Sequence, residues 1–448
     1  MKRVLKRLLV GVLSLTVLLC SCNEASNEDL FASTTAKKNE TKPATTESKV
    51  ELQKPTHLVP EFYETGEILG RLTEKPYVVD IGGSGVTVEL AYQGWPTICK
   101  GEGSTLYAAS SLRIGHVDPF SVTAFYVSHD NGETWSEPRV INDTPLDDRD
   151  TGIVYIGGGK MLISFFTVSQ NSFLDDGEYN TDWGWGYSTQ EQRAAKRAEW
   201  NKLGNAELAK YNGSFVLLSD DYGETWSEPI KMSACSPHGP SLMKDGRTLI
   251  MSSLETKSGV TSFCTYVSRD FGKTWSKNSS VEMPPLPKDE NTWGYFEPYV
   301  IQLKDGSYLG GIRICTTKGP TNSVETYGIF TTKSYDGKEW TTPTQIEGVR
   351  GVPPHFLELS NGVILLTYSY RMEPRGCRGK LSYDGGETWS ADEIIISENT
   401  SEKNNDLGYP STVELADGTL ITAYYQPYGN DYPASVLYTK WRLNEVEE

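Results

Sequence analysis

The chain has 448 residues, a formal net charge of −17, 42 glycines and 11% aromatic residues. That length supports a large core in one large or two ordinary domains, and the glycine–aromatic mix points to many short strands and turns. An acidic balance of this size argues against nucleic acid or an anionic membrane surface as the main partner, because both are captured by positive charge.

Residues 1–21 carry Lys2, Arg3, Lys6 and Arg7 and then the apolar run LLVGVLSLTVLLC. The run is too short and too early for an ordinary membrane span and reads as a targeting segment. It ends in LCSC, Leu19–Cys22, which resembles a bacterial lipobox. That resemblance implies cleavage before Cys22, lipidation of Cys22 and a place in the bacterial cell envelope, with the lipid as the only membrane contact. Residues 22–56 are rich in Thr, Lys, Glu, Ser and Ala and poor in apolar residues, as expected of a disordered tether. The remainder, 57–448, reads as one folded domain. Its cysteines, Cys99, Cys235, Cys264, Cys315 and Cys377, are odd in number and form no CxxC pair, so neither a disulfide framework nor a thiolate metal site is expected.

One octamer recurs along this domain: SHDNGETW at Ser128–Trp135, SDDYGETW at Ser219–Trp226, SRDFGKTW at Ser268–Trp275 and SYDGGETW at Ser382–Trp389. A shorter copy, SYDGKEW, spans Ser334–Trp340. The logic is local: Asp accepts from turn amides, Gly supplies a positive φ, and Trp covers the hairpin. A second period is independent of the first. Apolar strands flank tight turns at Lys100–Ser104, Gly157–Gly159, Asp245-Gly246, Asp305-Gly306, Asn361-Gly362 and Asp417-Gly418. Each of these hairpins but the last is followed by a copy of the octamer. Four strands per unit and six units predict an all-β, six-bladed β-propeller, with SVLYTKWRL as a late outer strand closing the ring with N-terminal residues. A seven-bladed ring is the alternative, in which Val78–Leu90 contributes a blade. Between the second hairpin and Ser219 lies a long insertion whose STQEQRAAKRAEWNKL stretch predicts a helix behind a Ser188-x-x-Glu191 cap, walling the site or contacting a partner.

In a propeller the starts of the innermost strands surround one mouth of the central channel, so residues just before each first hairpin converge. Asp148, Arg149 and Asp150, His238, Glu297 and Tyr409 hold such positions; Asp118 and Arg113 follow the first hairpin, and Arg313 ends the one after Glu297. Arginines, acids and a tyrosine around a concave mouth suit an enzyme for an anionic sugar.

The octamers match the Asp-box of sialidase-type propellers, and residues 90–445 resemble bacterial exo-α-sialidases of glycoside hydrolase family 33. The resemblance implies Tyr409, in LGYPSTVELADGT, as nucleophile and Glu297, in FEPYVIQLKDGSYLGGIR, as its partner. It implies Asp118, in LRIGHVDP, as acid/base. Arg313 and Arg375 are implied as substrate ligands, with Arg371 and Arg378 as alternatives to Arg375. A neutral phenol suits a sugar whose anomeric carbon bears a carboxylate, because a carboxylate nucleophile would meet a repulsion of up to about 4 kcal/mol at about 4 Å. The pattern breaks at one place: the family's first arginine falls on Gln93 or Gly94 in YQGWPTI. Arg149, or Arg113, is the expected replacement, with Asp150 and His238 as further site neighbours. Three readings follow in order: a retaining exo-sialidase, a propeller glycosidase or lyase for another acidic glycan, and a non-catalytic glycan binder. No cofactor is expected, and His57, His116, His129, His238 and His355 lack the spacing of zinc ligands.

Overall fold

The computed structural model describes residues 57–68, 76–173, 187–288, 293–316, 327–399, 406–427 and 433–446. The lipobox, the tether and part of the insertion lie outside these residues.

Six four-stranded antiparallel sheets form the ring. The first four blades open with the innermost strands Tyr92–Lys100, Asp147–Gly157, Ser241–Leu242 and Trp293–Gln302, and the last two with Val352–Glu358 and Gly408–Glu414. In blades one to five the four strands follow one another in sequence. In blade six the outermost place is taken by the N-terminal strand Leu58–Glu67, paired with Ala434–Glu445. The ring is therefore closed by the two ends of the domain, as the sequence predicts. Val78–Leu90 adds no blade: Tyr77–Asp80 and Thr87–Leu90 make a separate two-stranded ribbon.

Buried apolar residues cluster at each of the six blade interfaces. Tyr107, Phe125, Ile153 and Phe165 lie between blades one and two, for example, and Leu365, Leu381, Tyr424 and Trp441 between five and six.

The octamers close the hairpin between the third and fourth strands of blades one to five. In the first, Asp130 accepts from Ser128 Oγ (2.8 Å), Thr134 N (2.9 Å) and Thr134 Oγ1 (2.6 Å). Asp221, Asp270 and Asp384 accept from the matching Ser and Thr in the same way. The short copy lacks the Thr, and Asp336 takes the amides of Lys338 and Glu339 instead. These turns and the first-hairpin turns share one face of the disc, as the Asn131 N to Ser104 O and Tyr222 N to Gly159 O bonds show. Leu58 also starts there, its amide bonded to Tyr383 Oη. The other face carries the strand starts.

The described part of the insertion holds helix α1, Gln190–Leu203. Its cap lies one residue beyond the expected Ser188: Thr189 and Gln192 form the reciprocal box, because Thr189 is the last residue with extended backbone. Trp200 donates to Pro145 O and packs with Ile81, Leu90 and Leu208, so this part of the insertion braces the ribbon against blade one.

One close approach sets the ring's width between blades two and three. A Cβ on Gly152 would stand 2.2 Å from Gly239 N and 2.3 Å from its Cα. Backbone cannot give way as a side-chain tip can, so Gly152→Ala is expected to destabilise by about 1–3 kcal/mol or more. Its thermal midpoint should fall by several degrees; an unchanged midpoint would show that the two blades can part.

Candidate active site

The innermost strands share one irregularity. In blades one, two, four, five and six the pairing skips two inner residues against one outer residue, which is a β-bulge. The skipped pairs are Trp95-Pro96, Asp150-Thr151, Glu297-Pro298, Pro353-Pro354 and Tyr409-Pro410. Blade three has Gly239-Pro240 just ahead of its short strand. Trp95, Asp150, Glu297 and Tyr409 have φ of 51°, 48°, 46° and 52°, and Gly239 has 74°. Left-handed backbone at a non-glycine residue is strained by roughly 1–3 kcal/mol and turns its side chain out of the strand's alternation. Four of the positive-φ residues other than glycine in the described chain are these, each at the start of an innermost strand.

Tyr409 stands at the centre. Its ring is buried, and its Oη donates to Glu297 Oε1 at 2.5 Å. Arg313 Nη1 donates to both oxygens of Glu297 at 2.7 Å and lies 3.4 Å from Tyr409 Oη. Arg371 approaches the other way, its Cζ 5.9 Å from the Tyr409 ring centre and its Nε bonded to Leu407 O. Burial, and then the Glu297 carboxylate, push the Tyr409 phenol well above its ordinary range, so it is neutral at working pH. Asp406 anchors the surroundings, accepting from Tyr92 Oη, Tyr425 Oη and His116 Nδ1, each at 2.8 Å. Despite its burial, His116 and these donors hold its carboxyl below the ordinary range.

Next round the mouth are Trp95, Arg149 and Asp150. The Arg149 and Arg113 guanidiniums each lie 4.6 Å from the Trp95 ring centre. Arg149 has one distant acidic neighbour, Asp147 at 3.7 Å, and its Nε has no protein partner among the described residues. Asp150 is buried, yet its Oδ1 likewise has no partner among them. Burial lifts its carboxyl to about 7 against the pull of Arg149, with Glu297 pushing the same way as burial.

His238 lies across the channel, 6.3 Å from Tyr409 ring to ring, 5.0 Å from His355 and 5.6 Å from Tyr299. Burial holds its pKa down to about 3, and His355 is held well down for the same reason. The two neutral imidazoles form a floor below the nucleophile candidate.

The structure thus brings together Tyr409, Glu297, Arg313, Asp150, Arg149 and His238. It does not bring Asp118 to the mouth. Asp118 is fully buried, with Oδ1 taking Phe120 N and Oδ2 taking Ile114 N and Gly115 N. It also faces Arg113 at 3.4 Å; burial lifts it to about 6. It holds its own loop closed. Arg113 is fully buried too, spent on Asp147 at 2.7 Å and Gly115 O at 2.6 Å, so it cannot replace the missing arginine. Arg375 pairs with Glu373 and lies opposite Asn399 of the outermost strand. Arg378 caps the carbonyls of Pro374, Cys377 and Ser397. Of the three alternatives, Arg371 is therefore the one beside Tyr409. Sequence reasoning passed over Trp95 and Asp406, while His116, two residues before Asp118, was legible as a site neighbour. A signal existed for the first: a proline follows the bulge residue at 96, 240, 298, 354 and 410.

The BNR/Asp-box repeat model matches residues 126–137 and 266–277. No curated protein matches the chain. Among solved structures, a protein of unknown function from Dyadobacter fermentans DSM 18053 is 19% identical with a TM-score of 0.63, covering 86% of this chain and 99% of that one. The Hadza microbial sialidase Hz136 is 16% identical with a TM-score of 0.51, over 80% of this chain and 66% of that one. At these identities the likeness is one of fold.

The two aspartates make opposite predictions for stability. Asp118→Asn replaces one of the two oxygens that take three amides with an NH2 donor, and is expected to cost about 1–3 kcal/mol. Asp150→Asn removes a carboxyl that folding desolvates. The wild-type group binds its proton more tightly folded than unfolded, so its contribution is lost as pH rises from about 4 to 7. Melting curves across that range should show Asp150→Asn gaining on the wild type with rising pH. A constant offset would place Asp150 in solvent.

Proposed function

We propose that this propeller is a retaining exo-glycosidase that removes a terminal acidic sugar, sialic acid first, from glycoconjugates. The observation that carries the reading is the 2.5 Å bond from Tyr409 to Glu297, with the Arg313 and Arg371 guanidiniums both close to the tyrosine.

A buried phenol above its ordinary pKa is a poor nucleophile until a base takes its proton. Glu297 accepts the hydrogen bond of that proton and is held by Arg313 through both oxygens. As the phenol oxygen bonds to the anomeric carbon, its proton passes to Glu297. Arg313 and Arg371 both stand near Tyr409, where forked donors would meet the substrate's carboxylate; such a charged bond contributes roughly 1.5–3 kcal/mol. Arg149, over Trp95 and with an unbonded Nε, is the natural third contact. The covalent sugar–tyrosine intermediate is then opened by water, giving net retention.

One observation favours a second reading. The related pattern's first arginine region is here occupied by Trp95, a buried ring that supports Arg149 instead of supplying a guanidinium of its own. With that arginine replaced, another acidic sugar, a uronic acid or another 2-keto acid, is a candidate beside sialic acid. A lyase acting there would draw its base from Tyr409, since His238 is sealed below it.

Localisation is part of the same reading: export and lipidation at Cys22. Leu58 enters on the face opposite Tyr409. Fatty-acid labelling of the full chain should be lost in Cys22→Ala; labelling that persists would remove the anchor.

For the activity, Tyr409→Phe is expected to lower kcat/KM on a fluorogenic α-sialoside by about 10³-fold or more. Arg371→Ala should lower it about 10-fold to 150-fold, the equivalent of 1.5–3 kcal/mol. Arg375→Ala should stay within about threefold on the folded protein. Wild-type hydrolysis that survives Tyr409→Phe would refute the nucleophile. No hydrolysis of sialosides, with turnover of uronides, would select the second reading.

A further inference from the structure

We propose that Asp150, and not Asp118, protonates the leaving oxygen and afterwards activates water at this site; the inference rests on the glycosidase reading. Three observations carry it. Asp150 occupies in blade two the bulge position that Glu297 and Tyr409 occupy in blades four and six, with the same left-handed backbone. Its strained geometry therefore serves the same end, delivering a side chain to the mouth. Its Oδ1 is buried without a protein partner among the described residues, whereas Asp406 and Glu297 beside Tyr409 are held by several donors. Asp147 also leaves one oxygen unbonded, but that oxygen faces the Arg149 guanidinium at 3.7 Å. An unmet acceptor this well buried is the position of a substrate or water oxygen. Asp118, the competing group, is saturated by three amides and has no exposed surface.

The charge around Asp150 suits the task. Arg149 and Arg113 favour its anion, while Glu297 and Asp147 oppose it, and burial opposes it most. The outcome, a pKa of about 7, leaves it able to give a proton and take one back near neutrality. In the first step the bond from the anomeric carbon to the glycosidic oxygen breaks. The electron pair stays on that oxygen, which takes the Asp150 proton while Tyr409 gives its own proton to Glu297. In the second, the Asp150 carboxylate takes a proton from water as the water oxygen bonds to the anomeric carbon. The tyrosine–sugar bond breaks, and Tyr409 recovers its proton from Glu297.

A general acid matters most for a leaving group that cannot depart as an anion. The test compares kcat/KM on an aryl α-sialoside and on an unactivated sialyl-galactoside, with matched uronides if those are the substrates, for wild type, Asp150→Asn and Asp118→Asn. Asp150→Asn is expected to lose about 10²–10⁴-fold on the galactoside and less than about tenfold on the aryl substrate. Asp118→Asn should lose the same factor on both. Equal losses for Asp150→Asn, or a leaving-group split for Asp118→Asn, would overturn the assignment. If Asp150→Asn does not fold, Asp150→Ala with added formate answers the question: restored turnover supports the assignment, and its absence in folded protein counts against it. A wild type inactive on all of these substrates would sink the glycosidase reading, and this inference with it.

Discussion

The site depends on a single backbone device, the two-residue bulge at the start of the innermost strand. A regular strand would send alternate side chains into the neighbouring blades and leave the channel lined by whatever remained. The bulge adds a residue, forces it left-handed in four blades, and frees its side chain from the packing on either side. Repeated around a closed ring, it points Trp95, Asp150, Glu297 and Tyr409 at one mouth from strands far apart in sequence. The strain is tolerated because each bulge sits on a blade clamped by apolar interfaces, and in blades one to five also by an Asp-box turn; blade six is held instead by its pairing with the N-terminal strand. The fold's rigidity and the mouth's chemistry thus have a common origin.

The electrostatics follow from that placement. Arg149, Arg313 and Arg371 are crowded around a largely buried mouth, and their carboxylate partners only partly answer them. Glu297 is shared between Arg313 and the phenol, Asp147 between Arg113, Ser121 and Arg149. Breaking such a pair leaves a desolvated charge, which is far more destabilising than the intact pair is stabilising. An anion bound between the arginines would relieve what the protein leaves unmet. Asp406 does the opposite work: three donors fix it completely, and through Tyr92, His116 and Tyr425 it stiffens the wall beside Tyr409.

Much of this was legible in the sequence, and the limits have physical reasons. The Asp-box octamers and the spaced Asp-Gly turns gave the blade count because both are local, with fixed offsets between acceptor, glycine and tryptophan. Tyr409 and Glu297 were legible as mouth residues because a propeller makes every first strand equivalent, and Arg313 because the resemblance places an arginine at the end of the following strand. For Asp118 the position in the chain was legible but the environment was not: three amides of its own loop close on it, and Arg113 is spent on Asp147 and Gly115. The choice among Arg371, Arg375 and Arg378 turned on which way a strand end faces, which spacing does not encode. The prolines after the bulge residues were visible throughout, yet their meaning needed the skipped register of the inner hairpins.

The central claim is that Tyr409 forms a covalent bond to the sugar. A sialosyl fluoride bearing a second fluorine beside the anomeric carbon has a good leaving group and an intermediate that is slow to open. Incubated with the protein and followed by peptide mass spectrometry, it should add one fluorosugar to the peptide containing Tyr409, and none to Tyr409→Phe. An adduct on Glu297 or Asp150, or steady hydrolysis of the fluoride with no adduct at all, would contradict the account.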